Sequence, residues 1–238
     1  MTMRTLLCLH GFGVRGYFWD VIKPHLENVY ARVVTPDLRM DTIETVLDSG
    51  RRLTEQSARE DGAPVAIIGH SLGGVVGALA ARDLGPATVD RVVLVAPPFG
   101  ERGEVPSPFL RFLLRHRLIP DFLSRPRFFS SETPTSIQKS IFKRAVDESP
   151  ELKELLFRPK RFHTDLFDGP LPVPTLVVAS EADRIVPVRE SLEFAERLGA
   201  ATEVYAAARG IGHDDFTCAP RIAEELAARV SRFAETNR

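Results

Sequence analysis

Gly69-His70-Ser71-Leu72-Gly73-Gly74 sets a serine between glycines two residues before and two residues after it. The motif falls where an apolar run over residues 63–68 gives way to a helical pattern over residues 72–84. In a sharp strand-to-helix turn this spacing lets the backbone pack closely on both sides while the hydroxyl projects outward. Ser71 would also face the N-terminus of the helix beginning at Leu72, where free N–H groups and the helix dipole favour a developing negative charge. The chemistry on offer is attack by an alcohol on an electrophilic carbon, with the oxyanion supported by the same turn. A glycine-rich turn with a capping serine is the alternative, and the strand and helix on either side weigh against it.

An alcohol is a weak nucleophile at neutral pH, so it needs a base, and the base needs a group to orient it. Of six histidines, His213 is the strongest candidate, because Gly210-Ile211-Gly212-His213 follows a strand-like run and precedes the last helix. His10 and His70 adjoin motif residues and are expected to be structural. His25, His116 and His163 fall in helical or irregular segments, where a surface or locally bonded ring is the default. The acid should come from the end of a strand between serine and histidine, and Asp183 in Ser180-Glu181-Ala182-Asp183-Arg184 follows one. Glu181 and Asp165 compete for that role, and capping of a helix starting at Val188 is the other use for Asp183. Asp214 and Asp215 adjoin His213 too closely in sequence to reach its far ring nitrogen.

These residues need a scaffold, and the apolar patterning supplies one. Short apolar runs over residues 5–9, 31–35, 63–68, 91–96, 175–180 and 202–206 read as strands, most of them buried on both faces. Helical patterns over residues 19–26, 41–60, 72–84, 188–198 and 220–234 lie between and after them. Alternating strands and helices joined by right-handed crossovers predict an α/β fold, a mostly parallel sheet with helices on both faces. The alternation stops over residues 97–172, where proline, arginine and phenylalanine become dense. The expected organisation is therefore a core of residues 1–96 and 173–238 with a helical cap insertion at 97–172.

Composition excludes several classes. A chain of 238 residues with 44% hydrophobic and 26% charged residues can bury a sizeable core. No apolar run approaches the roughly twenty residues of a membrane span. Arg4 and the short apolar stretch ending at His10 are too little for a secretory leader, so the expectation is a cytoplasmic protein. A net charge of −1 gives no field for nucleic acid. Cys8, inside a strand-like run, and Cys218, far along the chain, are expected to be small buried hydrophobes, neither a disulfide framework nor a metal site.

With the motif, the order serine, acid, histidine and the strand alternation together, the chain resembles the α/β-hydrolase-fold enzymes from His10 to His213, everywhere except the insertion. That resemblance implies a serine hydrolase with Ser71 as nucleophile, His213 as base and Asp183 as orienting acid. It also implies an oxyanion hole made by the backbone N–H groups of Phe12, in His10-Gly11-Phe12-Gly13, and of Leu72. Cleavage of carboxylic esters through an acyl-enzyme is the leading expectation, with no metal or cofactor required. Thioesterase or carbon–carbon bond hydrolase activity, or a slow-turnover ligand receptor on the same fold, are the alternatives. Serine at position 71 departs from the epoxide hydrolases and haloalkane dehalogenases, which place aspartate there. Two further departures are a shortened loop, Asp37-Leu38-Arg39-Met40-Asp41, in place of the family's D-x-R-G-H-G segment, and no room for an additional N-terminal hairpin, so that the sheet is expected to be smaller at one edge.

The insertion contains Pro108-Phe109-Leu110-Arg111-Phe112-Leu113-Leu114-Arg115-His116-Arg117-Leu118, an amphipathic segment with Arg111 and Arg115 one turn apart. Residues 97–162 hold thirteen Lys and Arg against eight Asp and Glu. A helix with its apolar side over the core and its arginines in water is the plain expectation. On that reading Phe109, Phe112 and Leu113 would line an acyl pocket, and some arginines would meet an anionic group such as a carboxylate or a CoA phosphate. A basic amphipathic helix could also touch a membrane surface, a weaker reading. The expected partner is a small-molecule ester or acyl substrate.

Overall fold

The computed structural model describes residues 3–101, 107–116, 118–155 and 157–236. Six strands form one sheet: β1 Met3–Leu9, β2 Tyr30–Val34, β3 Val65–His70, β4 Val89–Val95, β5 Thr175–Ser180 and β6 Ala201–Tyr205. Their order is β2-β1-β3-β4-β5-β6 and every pairing is parallel. The interior strands β3 and β5 are buried at every position, as their unbroken apolar sequences predict. Residues alternate between two core layers. Leu6, Cys8, Ile68, Val93 and Val178 face one side, and Leu7, Leu9, Ile67, Leu94 and Val177 face the other.

The helices follow the same logic. α1 is a single turn, Lys23–Leu26, and α2 spans Ile43–Asp61. α2 begins in a capping box, in which Thr42 and Thr45 each accept the other's backbone N–H, and stops at Gly62, whose φ of 62° only glycine adopts freely. Gly50 on its inner face admits Val76, so α2 packs closely on α3, Leu72–Leu84. Between β4 and β5 lie α4 Pro108–Arg115, α5 Asp121–Phe128, α6 Thr135–Arg144 and α7 Pro150–Leu155. α8 Val188–Leu198, α9 Asp215–Cys218 and α10 Pro220–Thr236 complete the chain. α2, α3 and α8 cover one face of the sheet, and α1, α9 and α10 cover the other. No described helix is long and apolar enough to cross a membrane.

Two expectations are corrected. The helix expected over residues 19–26 is a 3-10 turn, Gly16–Trp19, followed by the one turn of α1. Pro24 lacks the N–H a continuous helix would use there, and Phe18, Trp19, Ile22 and Leu26 are held by the core rather than by a helical ladder. Phe109 and Phe112, two of the apolar side chains of α4, do not lie over the core, and the side chains of Leu110 and Leu114 fall outside the described residues. Phe109 and Phe112 are 71% and 52% exposed, Leu113 is half-buried, and no described α4 side chain joins either core cluster. The side chain of Arg115, and with it the expected placing of Arg111 and Arg115 on one face, lies outside the described residues. The two cysteines are free and buried, as expected.

Candidate active site

In the sheet order the chain runs outward from β1 to β2, then crosses back to β3 and continues the other way. In open parallel sheets the crevice at the carboxyl ends of the strands flanking such a reversal is where ligands bind. The loop after β1 and the turn after β3 meet there. Ser71 sits at φ 54° and ψ −121°, a conformation costly for any residue with a Cβ. Gly69 and Gly73 make the turn possible. A Cβ on Gly69 would run into the backbone of Gly73 and Gly74, and one on Gly73 would run into the carbonyls of Leu9 and His10. Ser71 N–H donates to the Val95 carbonyl at 2.8 Å, fixing the turn to β4.

The Ser71 hydroxyl caps nothing, although the residue occupies the cap position of α3. It hydrogen-bonds neither His213 nor any other described residue. The N–H groups of Leu72 and Phe12 likewise meet no acceptor among the described residues. Gly11 brings the Phe12 loop against the turn: a Cβ there would stand 3.2 Å from both the His70 carbonyl and the Ser71 Cβ. The geometry thus gathers an uncommitted hydroxyl and two uncommitted amides at one end of the sheet.

His213 follows β6 and is buried. Its Nδ1 lies 2.7 Å from Asp183 Oδ2, and Asp183 Oδ1 accepts the N–H groups of Ile185 and Val186 at 2.8 and 2.9 Å. One carboxylate therefore holds the imidazole, while the backbone holds the carboxylate. Burial, the largest influence on His213, disfavours its charged form. The Asp183 carboxylate, as charge and hydrogen-bond partner, together with Asp214 outweighs it and raises the pKa above the ordinary histidine value. Glu181 instead accepts the Ala207 N–H, and Asp165 pairs with Lys160, both at exposed positions, so neither competing acid reaches the ring. His10 is structural: its Nδ1 bonds Gly11 O and its Nε2 accepts the Leu38 N–H, and burial lowers its pKa to about 4. His70 Nε2 donates to the His213 carbonyl at 2.9 Å with the rings 4.6 Å apart, and His163 Nε2 donates to the Pro98 carbonyl.

Several residues that spacing gave no reason to select hold this arrangement in place. Ser180 Oγ donates to the Ile211 carbonyl at 2.8 Å, tying the end of β5 to the loop that carries His213. Asp215 accepts from Gly212 N at 2.7 Å, Thr133 Oγ1 at 2.6 Å and Ser130 N at 3.0 Å, which staples that loop to the segment between α5 and α6. Glu148, buried, accepts the Gly13 N–H at 3.1 Å and pairs with Arg15 at 2.6 Å, anchoring the Phe12 loop to the segment before α7. Asp214 is buried too, yet none of the described residues donates a hydrogen bond to its carboxyl, whose Oδ1 lies 4.0 Å from His70 Nε2. Burial foremost, with the Asp183 and Asp215 charges adding to it and His213 opposing, pushes the Asp214 pKa up to about 7. His70, His213 and Asp214 are the described residues grouped closely enough to hold a metal ion, each with a ligand-capable atom within 4.8 Å of the others. Within that trio His70 Nε2 is committed to a carbonyl and His213 Nδ1 to Asp183.

The profile of the Alpha/beta hydrolase family matches residues 6–228. Solved structures share the fold at low identity. A lipase-esterase related protein from Clostridium acetobutylicum is 14% identical, with a TM-score of 0.75 over 98% of this chain and 95% of its own. A thermophilic esterase from Thermogutta terrifontis is 20% identical, with a TM-score of 0.69 over 98% and 91%. A bromoperoxidase from Bacillus anthracis is 20% identical, with a TM-score of 0.74 over 99% and 92%. A search of curated protein sequences finds no significant match.

Proposed function

We propose, from the premise that this chain belongs to the alpha/beta hydrolase family, that it is a serine hydrolase cleaving carboxylic esters through an acyl-enzyme. The observation that carries the reading is the buried 2.7 Å contact from His213 Nδ1 to Asp183 Oδ2, packed on His70, whose neighbour Ser71 is held in a strained turn with its hydroxyl unused. With Nδ1–H directed at Asp183, His213 Nε2 is the basic nitrogen. It takes the proton of Ser71 as Oγ bonds the carbonyl carbon, and returns it to the leaving alcohol when the carbon–oxygen bond breaks. Water then repeats the attack and gives its proton to His213, which passes it to Ser71 Oγ as the acyl bond breaks, releasing the acid and free Ser71. Asp183 stabilises the imidazolium formed in each half. The Phe12 and Leu72 amides receive the oxyanion, each such donor contributing about 3–4 kcal/mol to lowering the barrier.

Residues 97–172 form, on this reading, a cap on the core of residues 1–96 and 173–238, with Phe109, Phe112 and Leu113 at its outer edge. The staples from Asp215 and Glu148 support the idea that the cap also fixes the loops that carry the base and an oxyanion donor. A fluorophosphonate probe tests the central assignment. Wild type should label and hydrolyse short p-nitrophenyl esters continuously, and Ser71→Ala should do neither. Labelling that survives in Ser71→Ala would move the nucleophile elsewhere. A single slow turnover in wild type would favour a receptor over an enzyme, and an ester chain-length series would then define the acyl group accepted.

A further inference from the structure

The large apolar side chains left in solvent are not scattered. The five most exposed among the described residues are Phe109, Phe112, Leu118, Phe122 and Leu123, at 52–71%, and all come from α4, α5 and the turn joining them. The next three, Leu166, Leu192 and Val204, are 38–39% exposed and sit on separate elements. Single exposed apolar residues are ordinary on a folded protein, but a concentrated group marks a contact surface. The same stretch is basic. Residues 107–128 hold five arginines, at 111, 115, 117, 125 and 127, against one acid, Asp121, in a chain whose net charge is −1. Arg127 is exposed and forms no ion pair among the described residues. The side chains of Arg115 and Arg117 lie outside those residues, and their charge enters from the sequence alone.

Charge narrows the choice of occupant. A second copy presenting the same face would set a net +4 against a net +4, a like-charge contact that opposes association. A bound peptide helix would need a groove, whereas side chains more than half exposed stand clear of their neighbours. A soft anionic surface suits both properties, because aromatic and leucine side chains sink into the boundary between headgroups and acyl chains while guanidinium groups pair with phosphates. We infer that α4 and α5 form a docking face for an anionic lipid surface, with Phe109, Phe112, Phe122 and Leu123 as inserted anchors, Arg127 as a headgroup contact and the net positive charge of the stretch as the attraction. This places the protein on the membrane, not through it, and does not depend on the hydrolase reading.

Vesicle co-sedimentation with the full chain tests the assignment, using phosphatidylcholine vesicles with and without phosphatidylglycerol. Wild type and Ser71→Ala should both sediment with the phosphatidylglycerol vesicles, remain in solution with phosphatidylcholine alone, and release as salt screens the attraction. Phe122→Ser/Leu123→Ser and, separately, Phe109→Ser/Phe112→Ser should each weaken partitioning by about tenfold or more, since each pair removes the burial of two large side chains. Both variants should keep the wild-type melting temperature, because the side chains removed are exposed. The inference fails if neither vesicle type binds, if both bind equally, or if both variants partition like wild type. It also fails if wild type is a dimer that these substitutions convert to monomer without any vesicle binding, which would make the face a protein contact.

Discussion

Around Ser71 the chain is fixed from every side: β3 is buried at each position, and the flanking glycines touch backbone that leaves no room for a Cβ. Along α4 and α5 the reverse holds. Phe109, Phe112, Phe122 and Leu123 stand in solvent, and among the described residues of the two helices Phe128 alone, partly buried, packs on a core layer. The Ser71 turn is built where strain can be held, because a residue at φ 54° survives only if its surroundings over-determine it. The α4–α5 stretch carries recognition instead, and a surface that meets a variable partner gains nothing from rigid burial. Between these extremes, residues 128–148 belong to the insertion in sequence yet brace the site through Asp215 and Glu148.

This contrast can be broken or sharpened by measurement. The largest effect should come from Asp183→Asn, which keeps the shape of the side chain but no longer holds the imidazole as an anion. Ester turnover should fall by about four powers of ten with the fold intact. A loss of only a few-fold would mean another group orients His213. Leu94→Ala in β4 should cost about 2–5 kcal/mol in denaturant unfolding, because Leu94 is fully enclosed between sheet and helices. A cost near zero there would show the core to be looser than its burial indicates.

Asp214→Asn should act through pH. An ionised Asp214 favours the His213 imidazolium, so its removal should move the acid limb of the kcat/KM profile to lower pH. Stability gives a second readout. The Asp214 pKa is raised from 3.8 to about 7, so its contribution is greatest below 3.8 and is lost as pH rises through about 7. The asparagine variant should lack that decline in thermal melts across the same window, and an unchanged pH profile together with an unchanged decline would remove Asp214 from the proton chemistry. The smallest effect is expected at Phe122→Ala, within about 0.5 kcal/mol of wild type by the same unfolding measurement used for Leu94. A substantial loss at Phe122 would mean that α5 is packed rather than presented.

Much of the scaffold was legible from spacing. The apolar runs place all six strands within a few residues, and residues 72–84, 175–180 and 188–198 match α3, β5 and α8 end to end. The order serine, acid, histidine also made Asp183, after a strand, the leading partner for His213, with Glu181 and Asp165 left open beside it. Residues 19–26 were misleading, since a helical pattern there is overruled by Pro24 and by core packing of Trp19. The apolar stripe of α4 was legible as a stripe, but periodicity says only that a helix has two faces, and not which of them meets the protein.

The sequence by itself determined the elbow, its glycines, the strand ends and the chain order of the three polar residues, because these depend on local spacing and on the alternation of apolar and polar positions. Tertiary structure alone decided that Asp183 rather than Glu181 or Asp165 meets the ring, and that Ser180 ties β5 to the His213 loop. It also decided that Asp215 grips Ser130, 85 residues away, while the adjacent Asp214 stays buried beside His70 with no donor among the described residues. Such contacts turn on where distant segments settle to within an ångström, and no periodicity along the chain carries that information. The same limit left α4 undecided until packing showed its phenylalanines facing outward.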